Sequence, residues 1–125
     1  QAGVGFVGGQ YAYAAVRRTE NGVSLVFVTS DGKEHTESAT ETMPIQDAPV
    51  AFRVTLLPTS SSTAVASFEY AQGGEFHPIG QPFEPACHTW VGARLALFCM
   101  PMNGGDDHGG WAEFGAVRVE AIKTL

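Results

Sequence analysis

The fold is decided by residues 10–30, which read QYAYAAVRRTENGVSLVFVTS. In the first half of this stretch, small apolar residues alternate with larger polar or aromatic ones, and this period of two is typical of a β-strand. A second apolar run follows Asn21-Gly22, a pair that favours the positive φ angles of a tight hairpin turn. We therefore expect two antiparallel strands, at 10–18 and 22–30.

The same pattern continues along the chain. Alternating runs are separated by Gly, Asp, Asn, Pro and Ser, with further turn signals at Asp31-Gly32 and Gly73-Gly74, and helical periodicity is nearly absent. Two antiparallel sheets around one core are the natural result, so the fold class is predicted as all-β, an antiparallel β-sandwich. The predicted strands are 2–7, 10–18, 22–30, 33–42, 49–57, 64–71, 75–79, 90–100 and 112–122.

Composition indicates one folded domain over residues 1–125. Hydrophobic residues make up 44% and charged residues 16%, which excludes a disordered chain. Seven basic against thirteen acidic residues give a net charge of −6, so we expect no nucleic-acid partner. No apolar run is long enough to span a membrane. The first residues lack the basic start of a signal peptide, and we expect a mature or excised module whose compartment the sequence does not indicate directly.

Catalytic and metal-binding patterns are weak. Cys87 and His88 are adjacent on an extended strand and point to opposite faces, and a Gly-x-Ser-x-Gly nucleophile motif is missing. We expect no catalysis by this chain and free, buried thiols at Cys87 and Cys99. The glycine-rich loop 102–110 offers oxygen ligands for Ca²⁺, or else is a flexible polar connection. No cofactor is expected, with Ca²⁺ as the alternative.

The face of the strands that points away from the core carries the side chains best suited to binding a ligand. It combines flat aromatic rings, which stack on the apolar faces of sugars, with guanidinium groups, which bond hydroxyls. The same residue types also describe a protein interface, or an ordinary covered surface, and all three readings stay open. The set is Tyr11, Tyr13, Arg17, Arg53, Trp90, Arg94 and Phe98.

Four stretches resemble one known family. Residues 68–83, FEYAQGGEFHPIGQPF, resemble the hairpin F-x-Y-S-x-D-G-x-x-F-x-x-I/L-G-x-x-F of the concanavalin A-like sandwich at the C-terminus of family 43 glycoside hydrolases. Residues 90–99, WVGARLALFC, resemble that family's W-I/V-G-A-K/R-x-G-L-F-C strand, and residues 112–119, AEFGAVRV, its A-D-F-D-W-F-R-V strand. The opening AGV with the YA at 11–12 is similar to its first strand pair. The ordered set covers almost the whole chain.

Several positions depart from the family pattern. The hairpin is one residue short, and Gly73 stands where Asp is usual. In the last stretch, Glu113, Gly115 and Ala116 replace two Asp residues and a Trp. No family role that depends on these positions is carried over to this chain.

The resemblance implies a concanavalin A-like, jelly-roll sandwich that is a non-catalytic accessory module of a family 43-like glycoside hydrolase and contacts xylan-type plant polysaccharide. The parent would be a β-xylosidase or α-L-arabinofuranosidase with a secreted, periplasmic or cell-surface address. Two alternatives remain: a structural domain that packs on the catalytic propeller and shapes it without binding sugar, or a concanavalin-like lectin. The residues expected to contact carbohydrate are Tyr11, Tyr13, Arg17, Trp90, Arg94, Asn103, Asp106, Asp107 and His108.

The family domain also tends to have strands ahead of the AGV opening. If this chain is an N-terminally trimmed fragment, an edge of the sandwich is left open. We therefore expect the partner to be carbohydrate or a family 43 catalytic domain, and the open edge to pair with a second copy as a homodimer.

Overall fold

Eight β-strands form the structure, a computed structural model that describes residues 1–30, 36–85, 94–101 and 110–122. The strands are β1 (Ala2–Val7), β2 (Tyr11–Thr19), β3 (Gly22–Ser30), β4 (Glu37–Pro44), β5 (Ala51–Pro58), β6 (Ala64–Ala71), β7 (His77–Phe83) and β8 (Arg94–Cys99). They form a five-stranded sheet in the order β4-β3-β2-β1-β8 and a three-stranded sheet in the order β5-β6-β7. Every pairing is antiparallel, which confirms the predicted all-β sandwich.

The hairpins follow the turn chemistry of the sequence. β2 and β3 pair from Tyr11–Ser30 to Thr19–Gly22, so residues 10–30 do form the expected hairpin. Gly73 and Gly74 connect β6 to β7 with φ angles of 73° and 75°, a conformation that costs little only for glycine. The Asp31-Gly32 turn lies outside the described residues.

The core between the two sheets is built from inward-facing residues of every described strand except β8. Phe68 of β6 packs edge-on against Phe27 of β3 and Phe6 of β1, with ring centroids 5.3 and 6.1 Å apart. Such edge-to-face pairs add to the free energy that apolar burial supplies. The other fully or largely buried members of this cluster are Ala12, Ala14, Leu25, Ala66 and Ile79.

A second buried cluster lies on the opposite, outer face of the five-stranded sheet. Tyr13, Ala15, Val26 and Val28 are all buried there, with Phe98 of β8 packed edge-on against Tyr13. The prediction that Phe98 shares a face with the tyrosines of β2 is therefore confirmed.

A strand was predicted at residues 112–122, but this segment forms no strand in the structure. Their apolar side chains alternate, but a strand exists only when a neighbouring strand takes its backbone hydrogen bonds. None of the eight described strands does so, and Val119 is 89% exposed.

Cys99 also differs from the prediction. Its thiol is free but exposed, because it lies at the far end of β8, opposite Ala2, where the second sheet does not cover the first. Cys87 lies outside the described residues.

Candidate functional site

Four of the predicted carbohydrate-contacting residues are described, and all four lie on the five-stranded sheet. Tyr11, Tyr13 and Arg17 alternate along β2, and Arg94 begins β8. They occupy the outer face, because the residues between them on β2 belong to the core between the sheets. The remaining predicted residues lie outside the described part of the chain: Trp90, Asn103, Asp106, Asp107 and His108.

Arg53 does not join this face. It lies on β5, in the other sheet, where its guanidinium bonds Glu69 across the β5–β6 pair at 2.9 and 3.0 Å. The same guanidinium sits 4.1 Å from the ring centroid of Phe76. This hydrogen-bonded pair holds the pKa of the Glu69 carboxyl below its usual value.

A continuous chain of hydrogen bonds runs along the outer face, and we call it the Glu37 network: Arg17, Gln1, Tyr13, Glu37 and Tyr11. Arg17 donates twice to Oε1 of Gln1, at 3.0 and 2.8 Å. The Gln1 side-chain amide then donates to the Tyr13 hydroxyl at 3.2 Å. Both tyrosine hydroxyls end on the same carboxylate, Tyr11 at 2.8 Å and Tyr13 at 3.0 Å.

Glu37 reaches the tyrosines because of the strand register. It pairs with Ser30 on β3, and Ser30 pairs with Tyr11 on β2, so the three residues form one row across the sheet. The sequence analysis missed Glu37, since the β3–β4 register was not predicted. A register shift at Phe27/Val28 also moves the pairing of β4 by one residue.

The two tyrosines differ in how much of each side chain is exposed to solvent. Tyr13 is only 6% exposed, and its ring contacts Phe98 at 5.0 Å between centroids. Tyr11 is half-buried and lies nearly parallel to Tyr13, at 11° and 6.4 Å. Tyr11 is therefore the more exposed tyrosine of the pair, and the Tyr13 ring lies beside it.

The environment raises the pKa of both tyrosine hydroxyls above the ordinary value. Burial is the main cause for each, and hydrogen bonding to the Glu37 carboxylate adds to it, because a phenolate beside a carboxylate is disfavoured. Both hydroxyls are therefore protonated donors at neutral pH, and the Glu37 carboxylate is their shared acceptor.

Arg94 lies in the same end of the sheet as Tyr11. It pairs with Val7 on β1, and Val7 is one residue beyond Phe6, which pairs with Ala12. Because strands in a sheet are spaced by about 4.8 Å, two strand spacings place the backbones of Tyr11 and Arg94 about 10 Å apart. Arg17, six residues along β2, lies at the other end of the network.

Other features of the described residues do not touch this face. A shallow, open groove of about 400 Å³ lies between the end of β4 and β6, lined by Met43, Pro44, Ile45, Gln46, Tyr70 and Gln72, and none of the predicted site residues lines it. Within the described ranges, no three His, Cys, Asp or Glu side chains come together as a metal site. No helix there is long and apolar enough to cross a membrane.

The class of protein is thus defined by a two-layer antiparallel sandwich with a polar and aromatic network on one outer face. The family model described as the beta xylosidase C-terminal concanavalin A-like domain matches residues 1–120. The chain belongs to this family. No curated protein and no solved structure is matched.

Proposed function

We propose that this domain is a non-catalytic accessory module of a family 43-like glycoside hydrolase and that it contacts xylan-type plant polysaccharide. Membership of the family of β-xylosidase C-terminal domains supports the accessory role. The parent enzyme would be a β-xylosidase or an α-L-arabinofuranosidase. Because such polysaccharides lie outside the cell, we propose a secreted, periplasmic or cell-surface address.

The observation that carries the proposal is the end of the outer face where Tyr11, Glu37 and Arg94 lie. The half-exposed ring of Tyr11 offers an apolar surface for the C–H face of a pyranose. Glu37 and Arg94 are both exposed, and they add an acceptor and a donor for sugar hydroxyls to the same end of the face. Binding would be contact without bond cleavage, since a glycosidase needs two opposed carboxyl groups and Glu37 is engaged by two tyrosine hydroxyls.

A shallow sheet face binds weakly, with a dissociation constant on the order of 0.1–1 mM, or about 4 to 5.5 kcal/mol. Affinity electrophoresis in gels containing xylan measures binding in this range. We expect retention of the parent chain, loss of retention for Tyr11→Ala, and retention for Tyr11→Phe, which keeps the ring. The melting temperature of all three should agree within a few degrees.

Arg53→Ala is the matched control, because it removes a guanidinium next to an aromatic ring on the other sheet. Its retention should equal that of the parent chain. If Arg53→Ala weakens binding and Tyr11→Ala does not, the sugar contacts the three-stranded sheet and this proposal is wrong.

The second candidate function is structural: the domain packs on the catalytic propeller and shapes its pocket without binding sugar. One observation favours it. The Glu37 network already satisfies the polar groups of Tyr13, Gln1 and Arg17 within the domain. A chain that migrates unretarded on every polysaccharide, but binds the separately produced catalytic domain, would establish this role instead.

A further inference from the structure

The sandwich is open along one side, and the arrangement of its layers shows why. β7 packs over β3 and β4: Gly80 lies against the Phe27 ring, and its backbone nitrogen donates to Oε2 of Glu41 at 2.7 Å. β5 and β7 are the two edge strands of the smaller sheet, and β8 and β4 are the two edge strands of the larger sheet. Three strands span about 10 Å and five span about 19 Å, so the smaller sheet does not reach β8.

Side chains that face inward are therefore exposed at this side, which we call the open edge: Leu56, Leu95 and Leu97. Leu56 pairs with Ala66, a fully buried core residue, and Leu95 pairs with the buried Phe6. By their register they face the interior, yet they are 46%, 53% and 47% exposed. One edge of β5 also pairs with no described strand, so it offers free backbone donors and acceptors.

The same chain also contains a strand-like segment that is paired with no sheet edge among the described strands. Residues 112–122 are strand-like in sequence, pair with none of the described strands, and expose Val117 and Val119, which would share one face of an extended strand. A strand with apolar side chains is stable only when it adds to a sheet edge and buries those side chains. Among the described residues, each molecule thus has one unpaired strand-like segment and one sheet edge without a neighbouring strand.

We propose that a second copy of this chain covers the open edge: residues 112–122 of each copy add to β5 of the other and cover Leu56, Leu95 and Leu97. Reciprocal exchange about a two-fold axis satisfies both features in both molecules and leaves no free donor strand, so assembly stops at the dimer. In the structure the segment is largely exposed and pairs with no described strand of its own molecule, β5 included, so it is not bound as a strand there. This interface is independent of the proposed sugar-binding face.

The test uses the complete 125-residue chain in light scattering coupled to size exclusion, from low to high micromolar concentration. We expect a dimer that dissociates on dilution. Val119→Asp, in the donor segment, and Leu56→Asp, at the acceptor edge, should each give monomers. Val119→Ile and Thr55→Asp are the controls and should remain dimeric, because Thr55 neighbours Leu56 on β5 but faces the opposite side.

A mixing experiment distinguishes strand exchange from simple face-to-face association. The Val119→Asp chain keeps an intact acceptor and the Leu56→Asp chain an intact donor, so their mixture should form a heterodimer in native mass spectrometry. If Leu56→Asp does not fold, Val119→Asp carries the test alone, because residue 119 is almost fully exposed.

Three results would overturn the proposal. One is a monomer at every concentration. A second is a dimer that withstands Val119→Asp. The third is a monomer in which hydrogen exchange protects both β5 and residues 112–122, since the segment would then be docked on its own molecule.

Discussion

At the scale of single residues, Gly80 combines a positive φ angle with a close approach to a buried ring. Its φ angle is 73°, a conformation that residues with a side chain adopt only with strain. A Cβ atom there would also overlap the Phe27 ring, which is fully buried. The glycine therefore allows β7 to approach β3 closely enough for the backbone nitrogen to reach Glu41.

Gly80→Ala should reduce the free energy of unfolding by about 2–6 kcal/mol, because backbone strain and overpacking each cost about 1–3 kcal/mol. Gly73 provides a matched control, since its φ angle is also 73° but nothing lies within 4 Å of an added Cβ. Gly73→Ala should cost only the backbone strain, about 1–3 kcal/mol. Urea unfolding measures both, and equal losses would show that contact with Phe27 contributes nothing.

At the scale of strands, the Glu37 network joins β4 to β2 across β3, and it makes a pH-dependent contribution. Burial and Glu37 raise the pKa of Tyr11 and Tyr13 in the folded state, while in the unfolded chain both return to about 10. This contribution to stability is fully present below pH 10 and is lost as the pH rises through the folded-state pKa values. The domain should therefore lose stability in alkali.

Glu37→Gln should lower the pKa of both tyrosines, because it removes the carboxylate that disfavours the phenolates. Burial, the largest cause that raises both pKa values, is unchanged by this substitution. Ultraviolet absorbance of tyrosinate during an alkaline titration measures the change. Glu20→Gln, in the exposed β2–β3 turn, should leave the curve of the parent chain unaltered, and a curve unaltered by Glu37→Gln would contradict the network.

Most strands could be predicted from the sequence because alternation and turn residues are local signals. β4 extends to Pro44, two residues beyond the predicted end, and it contains a register shift opposite Phe27 and Val28 that is set by pairing and leaves no mark in the pattern. The start predicted at residue 33 lies outside the described residues. At residues 112–122 the sequence predicted a strand that the structure does not contain. Their alternation is real, but strand formation depends on an edge that local sequence does not specify.

At the scale of the whole molecule, Phe68 joins the two layers by contacting an aromatic ring on each of two strands of the larger sheet. Phe68→Ala should reduce the free energy of unfolding by about 3–5 kcal/mol, the usual loss for a fully buried phenylalanine. Phe114→Ala is the control, because that ring is exposed in an unpaired segment, and its effect on the monomer should stay below about 0.5 kcal/mol. Equal losses from the two substitutions in urea unfolding would contradict this account of the core.

The candidate site was predicted in part at this scale. Alternation along β2 correctly grouped Tyr11, Tyr13 and Arg17 on one face, but it could not separate the two sheets and therefore added Arg53 to the set. Nor could it predict the burial of Tyr13, which depends on Phe98 and on contacts from distant parts of the chain. Face assignment is a local property, whereas exposure is a property of the assembled layers.

The crossover from β4 to β5 connects the two sheets. An ion pair and a set of uncharged hydrogen bonds hold it in place, and the two respond differently to salt and pH. Arg18 and Asp47 form an exposed bidentate ion pair at 2.6 and 2.9 Å, which salt and acid weaken. The Gln72 amide instead donates to the carbonyls of Gln46 and Ala48 at 2.8 and 3.3 Å, and accepts from the Gln46 backbone nitrogen at 3.3 Å. The Gln72 amide is uncharged, so its hydrogen bonds neither titrate nor are screened by salt. They should therefore hold the crossover in place at high salt or low pH, where the Arg18–Asp47 ion pair is weakened.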